Sequence, residues 1–226
     1  MRLLLISSSI VHGYDFFDHS EAEMRSMMGD RATVAFVPFA AHDVDLYTAR
    51  VRERFGRMGF DVTQVRGRAD VEGAEAVFVG GGNTFRLLKK MYELELVEVI
   101  RDRVRGGGML YMGASAGTNV ATPSIRTTND MPIVYPPTFD ALGLVSFQIN
   151  PHYLDPDPHS THQGETREVR IREFHEENTA PVVGLREGSM LRVEDGVVTL
   201  VGDKPARIFR RGETPFEVET GSRLEL

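Results

Sequence analysis

The sequence predicts an α/β fold built on a mainly parallel sheet. Short apolar runs of β type alternate with longer amphipathic segments, and Gly-rich turns close several of the runs. The strand candidates are Leu3 to Ile6, Thr33 to Val37, Val62 to Val65, Ala76 to Val79 and Met109 to Met112. Val44 to Met58 and Thr84 to Val104 carry apolar residues at three- and four-residue spacing and read as helices lying on the sheet.

Further along, Thr122 to Thr138 and Asn150 to Gly164 read as loops rich in Pro, Asp, Asn and His, long enough to suggest a functional role. A helix is expected near Thr166 to Glu177. From Pro181 onward, short apolar runs alternating with Gly predict antiparallel strands. No repeat or linker interrupts the chain, so residues 1–226 read as one domain.

Composition narrows the function. The chain has 226 residues, 41% apolar and 26% charged, ordinary values for a globular protein. With no cysteine, it can carry neither a disulfide nor a cysteine nucleophile. The net charge of −7 and the lack of a basic run argue against nucleic acid as a partner. No stretch approaches the roughly 18 apolar residues of a membrane span. The N-terminal apolar run is too short for a signal peptide, and the cytosol is the expected setting.

The chemistry concentrates at Gly113-Ala114-Ser115-Ala116-Gly117, directly after a strand candidate. Such a turn presents the serine hydroxyl at a helix N-terminus, with the Ala116 amide facing a developing oxyanion. A second turn, Gly80-Gly81-Gly82-Asn83-Thr84, also follows a strand, and Gly82 is expected to offer the second oxyanion amide. It matches neither a dinucleotide fingerprint nor a P-loop, so no cofactor is expected. Of seven histidines, His152 is favoured as general base because a strand would deliver it to the carboxyl edge of a sheet. Asp130 is one candidate for the carboxylate that orients it, with Asp155, Asp157 and Glu165 as alternatives.

These motifs, together with Ile125-Arg126-Thr127-Thr128-Asn129-Asp130-Met131-Pro132-Ile133-Val134, Gln148-Ile149-Asn150-Pro151-His152 and Gly164-Glu165-Thr166-Arg167-Glu168, resemble the peptidase E family. The resemblance implies a three-layer α/β/α sandwich like that of class I glutamine amidotransferases (flavodoxin-like) and cleavage of dipeptides with N-terminal aspartate. It implies Ser115 as nucleophile, His152 as base, Asp130 as third member, and Gly82 and Ala116 as oxyanion donors. Arg167, with Asn83, is expected to bind substrate, and a homodimer is suggested. Small peptides are the expected partners; a relative acting on other amides or cyanophycin, or a non-catalytic binding module, are the rival readings. Ala114 stands where the best-known members carry tryptophan, which predicts a more open pocket wall.

The loop after His152 departs most from the family. His152, Asp155, Asp157, His159 and His162 could together suggest a metal site, but Pro156 and Pro158 stiffen the segment and His152 is needed as a free base. The expectation is no metal, and a lid over the substrate.

Overall fold

In the computed structural model, residues 1–159, 161 and 164–226 are described. The elements run β1 (Arg2–Ile6), α1 (Glu21–Met28), β2 (Thr33–Val37), α2 (Val44–Arg57), β3 (Asp61–Gln64), α3 (Ala69–Glu72), β4 (Ala76–Val79), α4 (Thr84–Glu93), α5 (Leu96–Arg105), β5 (Leu110–Ala114) and α6 (Ala116–Asn119). They continue as β6 (Gln148–Pro151), α7 (Arg167–Glu177), β7 (Val182–Leu185), β8 (Ser189–Glu194), β9 (Val197–Gly202), β10 (Ala206–Phe209), β11 (Phe216–Val218) and β12 (Arg223–Leu224).

One sheet has the order β12-β9-β8-β1-β5-β4-β2-β3. The stretch from β1 to β3 is parallel, and β8, β9 and β12 extend it antiparallel. Alternate side chains of its strands enter two separate cores. Leu3, Leu5, Val77, Val79 and Tyr111 pack on the side of α4 and α5, whereas Leu4, Ile6, Phe36, Phe78 and Met112 pack with Met24 and Met27 of α1 and Phe55 of α2. Burial on both faces explains the near-continuous apolar runs, each large side chain contributing roughly 1.5–3 kcal/mol. The fold is the expected α/β/α arrangement around a mainly parallel sheet.

Three features differ from the sequence expectation. The stretch Thr84 to Val104 is two helices, because Glu95 adopts a left-handed conformation (φ 55°) between α4 and α5. Helix α1, whose inner face is made of Met24, Met27 and Met28, was not anticipated. The C-terminal strands also divide: β6, β7, β10 and β11 form a second sheet in the order β11-β10-β7-β6. Its Ile149, Val183, Leu185 and Ile208 join the α4 side of the core, and Val182 and Phe209 pack against Ile171 of α7. This second sheet matters functionally, since β6 ends one residue before His152 and β7 ends two residues before Glu187.

Candidate active site

Ser115 is the hinge residue between β5 and α6, at φ 53° and ψ −108°. A non-glycine residue there costs on the order of 1–3 kcal/mol and persists only when its surroundings hold it. They do so on both sides. The Ser115 amide donates to the Ile6 carbonyl (3.0 Å), the Thr118 hydroxyl spans the carbonyl oxygens of Ile6 (2.6 Å) and Gly113 (2.9 Å), and the Tyr111 hydroxyl donates to Gly117 O (2.5 Å). Gly117 cannot be larger, because a Cβ there would collide with the Val79 carbonyl. The motif thus works through close approach of α6 to β4 as well as through its turn.

His152 follows β6 and also has positive φ (53°). Its amide donates to Ser7 Oγ (2.9 Å), and that hydroxyl donates to the Leu185 carbonyl (2.7 Å). Ser7, fully buried at the end of β1, therefore ties the main sheet to the histidine turn. The imidazole meets Ser115 Oγ through Nε2 at 2.8 Å and Glu187 Oε1 through Nδ1 at 2.7 Å. A carboxylate can only accept, so Nδ1 carries the proton and Nε2 of the neutral ring is free to accept from the serine hydroxyl. Ser7→Ala leaves the His152 amide and the Leu185 carbonyl without this partner. The expected cost is about 1–3 kcal/mol in urea unfolding, with lowered turnover as the histidine loses its anchor.

Asp130 does not meet His152, which corrects the sequence expectation. Its Oδ2 accepts from the Thr84 amide (2.7 Å), the Thr84 hydroxyl (2.6 Å) and the Thr128 hydroxyl (3.2 Å), so it braces the start of α4. The alternatives are engaged elsewhere too. Asp155 is held bidentately by Arg186 (2.7 and 2.8 Å), Asp157 accepts from the His159 amide (2.9 Å), and Glu165 pairs with Arg170 (3.4 Å). Glu187 lies 35 residues beyond His152 in the chain, too far for local sequence to link the two. Its signal was there, a carboxylate between a buried strand and Gly188 in Leu185-Arg186-Glu187-Gly188.

The neighbouring motifs serve to fix this turn. Asn119 and Thr127 both donate to the Ile149 carbonyl (3.0 and 2.8 Å), Asn150 donates to Thr127 O (2.8 Å), and Asn129 donates to Pro151 O (2.7 Å). The resembling segments 125–134 and 148–152 are thus stitched together, and between them they deliver His152. Arg186 adds to this bracing by binding Glu217 (2.8 Å) as well as Asp155, next to Glu187 in sequence.

The turn after β4 lies directly against the serine: a Cβ on Gly81 would sit 3.1 Å from Ser115 Cβ. Gly82 has φ 133° and approaches the Ala40 carbonyl so closely that a Cβ would fall 2.5 Å from its oxygen. Among the described residues its amide has no acceptor. Ala116 opens α6, where first-turn amides have no intrahelical partner. Asn83 is occupied structurally: its side chain accepts from the Arg86 amide (3.0 Å) and donates to the Met131 carbonyl (2.9 Å). Ala114 is wholly buried and packs on the α2 side of the sheet.

Arg167 opens α7 just after the capping residue Thr166. Neither carboxylate beside it in sequence takes it: Glu165 pairs with Arg170, and Glu168 with Arg172 (3.5 Å) and Arg207 (3.3 Å). Among the described residues Arg167 has no salt bridge. Partial burial and the nearby Arg170 depress its guanidinium pKa, opposed by the Asp130 carboxylate. Of the metal-ligand candidates in the loop after β6, His162 lies outside the described residues, while Asp155 and His152 are engaged as above.

The arrangement can activate a hydroxyl for attack on a carbonyl, and comparison with known proteins agrees. Residues 3–201 match the model of peptidase family S51. The chain is 56% identical to Peptidase E of Streptomyces coelicolor, over 99% of this chain and 93% of that one. It is 49% identical to a Drosophila melanogaster protein named "Probable alpha-aspartyl dipeptidase" (92% and 90% covered), and 43% identical to Peptidase E of Salmonella paratyphi A (99% and 100%). A crystal structure of a peptidase from an acI-B1 Actinobacterium shares the fold at a TM-score of 0.68 and 17% identity, covering 100% of this chain and 96% of the other. With the family model spanning most of the chain, and the serine, histidine and carboxylate in line at its centre, this protein belongs to peptidase family S51.

Proposed function

We propose that the chain is a serine dipeptidase that hydrolyses Asp-X dipeptides through an acyl-enzyme, with Ser115, His152 and Glu187 as its triad. The observation that carries this is the continuous line from Ser115 Oγ through both ring nitrogens of His152 to Glu187 (2.8 and 2.7 Å). Ser115 Oγ attacks the peptide carbonyl while its proton passes to His152 Nε2, and Glu187 stabilises the resulting imidazolium. The carbonyl oxygen becomes an oxyanion between the Gly82 and Ala116 amides. As the C–N bond breaks, Nε2 returns the proton to the departing amine. Water, deprotonated by Nε2, then attacks the ester carbon, and Ser115 leaves with its proton restored.

The aspartyl preference rests on Arg167. A partly desolvated guanidinium without a carboxylate partner suits a substrate carboxylate, and the Drosophila relative's name points the same way. Turnover of a small panel of Asp-X and X-Leu dipeptides tests the reading, with Asp-X expected to dominate. Arg167→Met should lower kcat/KM for Asp-Leu by about a hundredfold, the worth of a charge-assisted hydrogen bond. The loss on Ala-Leu should be severalfold at most; equal losses on both would assign Arg167 a structural role. A fluorophosphonate probe separates this reading from that of a binding module, which would leave Ser115 unlabelled.

A further inference from the structure

A cavity of about 530 Å³ opens beside Ser115, and its walls include Gly82, His152, Tyr47 and Arg50. Arg167 does not line it. That separation assigns a direction to the substrate. His152 hands its proton to the departing amine, so the leaving residue must lie on the histidine's side of the scissile bond, in this cavity. If the substrate is a dipeptide, the leaving residue ends in a free α-carboxylate close to that amine.

We propose that Arg50, with Tyr47, clamps this α-carboxylate and so restricts the enzyme to dipeptides; the inference rests on the dipeptidase reading above. Arg50 and Tyr47 stand three residues apart on α2 and therefore share a face of the helix. The Arg50 guanidinium carbon lies 4.0 Å from the centroid of the Phe16 ring, which holds the planar group in place at the cavity wall. Among the described residues Arg50 has no salt bridge or hydrogen bond. Its neighbour one turn on behaves differently, since Arg54 is consumed by Asp18 (2.7 Å), Glu21 (2.6 Å) and the Phe16 carbonyl (2.7 Å). A cation left unpaired among acidic neighbours, facing the catalytic cavity, suits an anionic ligand.

Tyr47 supplies the second donor. Its hydroxyl oxygen accepts from the Gly81 amide at 3.0 Å, and burial pushes the phenol up to about 12, so it stays protonated at neutral pH. The phenolic proton is thus available to a carboxylate oxygen. The same hydrogen bond connects the clamp to the turn that carries Gly82, which couples recognition of the second residue to the position of the oxyanion donor. An extended peptide, or a blocked C-terminus, offers no charge at this point.

The test compares Asp-Leu with Asp-Leu amide, which differ only in the charge at issue. The wild-type enzyme should favour the acid in kcat/KM by about thirtyfold, a charge-assisted interaction of roughly 2 kcal/mol. Arg50→Met should bring that ratio to about one by losing rate on the acid, and Arg50→Lys should restore part of it. A wild-type ratio near one, or an Arg50→Met ratio equal to that of the wild type, would overturn the clamp. Aspartyl p-nitroanilide, which has no carboxylate on the leaving side, keeps the two ideas apart. If the wild type cleaves it but does not discriminate acid from amide, only the clamp falls; if it cleaves none of the three, the dipeptidase reading fails and takes the clamp with it.

Discussion

Ser115→Ala should fold with near wild-type stability and lose hydrolysis of Asp-Leu by about six powers of ten, the scale seen when a triad nucleophile is removed. Alanine preserves the Cβ and so makes the same demands on the turn. Every contact that holds position 115 at φ 53° comes from its own backbone or from Thr118, Tyr111 and Gly117, and none requires the hydroxyl. Among the described residues, the hydrogen bond lost is that to His152 Nε2. Steady-state hydrolysis, with thermal unfolding as the control, reads the result. Activity within tenfold of the wild type would remove Ser115 from the chemistry, and an unfolded variant would mean the hydroxyl is structural after all.

The parts of this site legible in the sequence are those in which local backbone geometry and chemistry coincide. Gly113 to Gly117 must turn sharply and approach β4 closely, so its glycines advertise both the bend and the residue it displays. His152 was legible for a similar reason: an apolar strand ends in Asn-Pro-His, and strands of an α/β protein lead to the ligand-binding edge. The second sheet was not legible, because β6 and β7 pair across the whole of α7, and a parallel pairing over that distance leaves no local mark. The error over Asp130 followed directly. Without β7 beside β6, nothing in the chain placed Glu187 near His152, whereas Asp130 stood in a conspicuous motif. That motif proves to be architectural: its threonines, asparagines and aspartate brace β6 and the start of α4. Arg50 was hidden differently, since it reads as one more solvated charge on an amphipathic helix until Phe16 and the cavity are seen around it.

The contrast between Glu187→Gln and Asp130→Asn should decide which carboxylate activates the base. Glutamine at 187 can present either an oxygen or an amide N–H to His152 Nδ1, and the N–H would stabilise the tautomer with the proton on Nε2, unable to accept from Ser115. It also removes the charge that stabilises the imidazolium. In a buried triad the corresponding change costs about ten thousandfold. The Glu187 side chain is 46% exposed, so water can replace part of its role, and a loss of about a hundred- to a thousandfold in kcat is expected. Asp130 acts at a different place, capping α4 and facing Arg167. Asparagine there should cost about 1 kcal/mol of stability and weaken binding of aspartyl substrates. Hydrolysis alone would confuse the two, because both variants would be slow on Asp-Leu. The rate of fluorophosphonate labelling separates them, since it depends on the nucleophilicity of Ser115 and not on recognition of an aspartyl group. Glu187→Gln should label far more slowly than the wild type, and Asp130→Asn at a rate close to it. The reverse order would return the orienting role to Asp130 and require a rearrangement that brings its carboxylate from Thr84 to the imidazole.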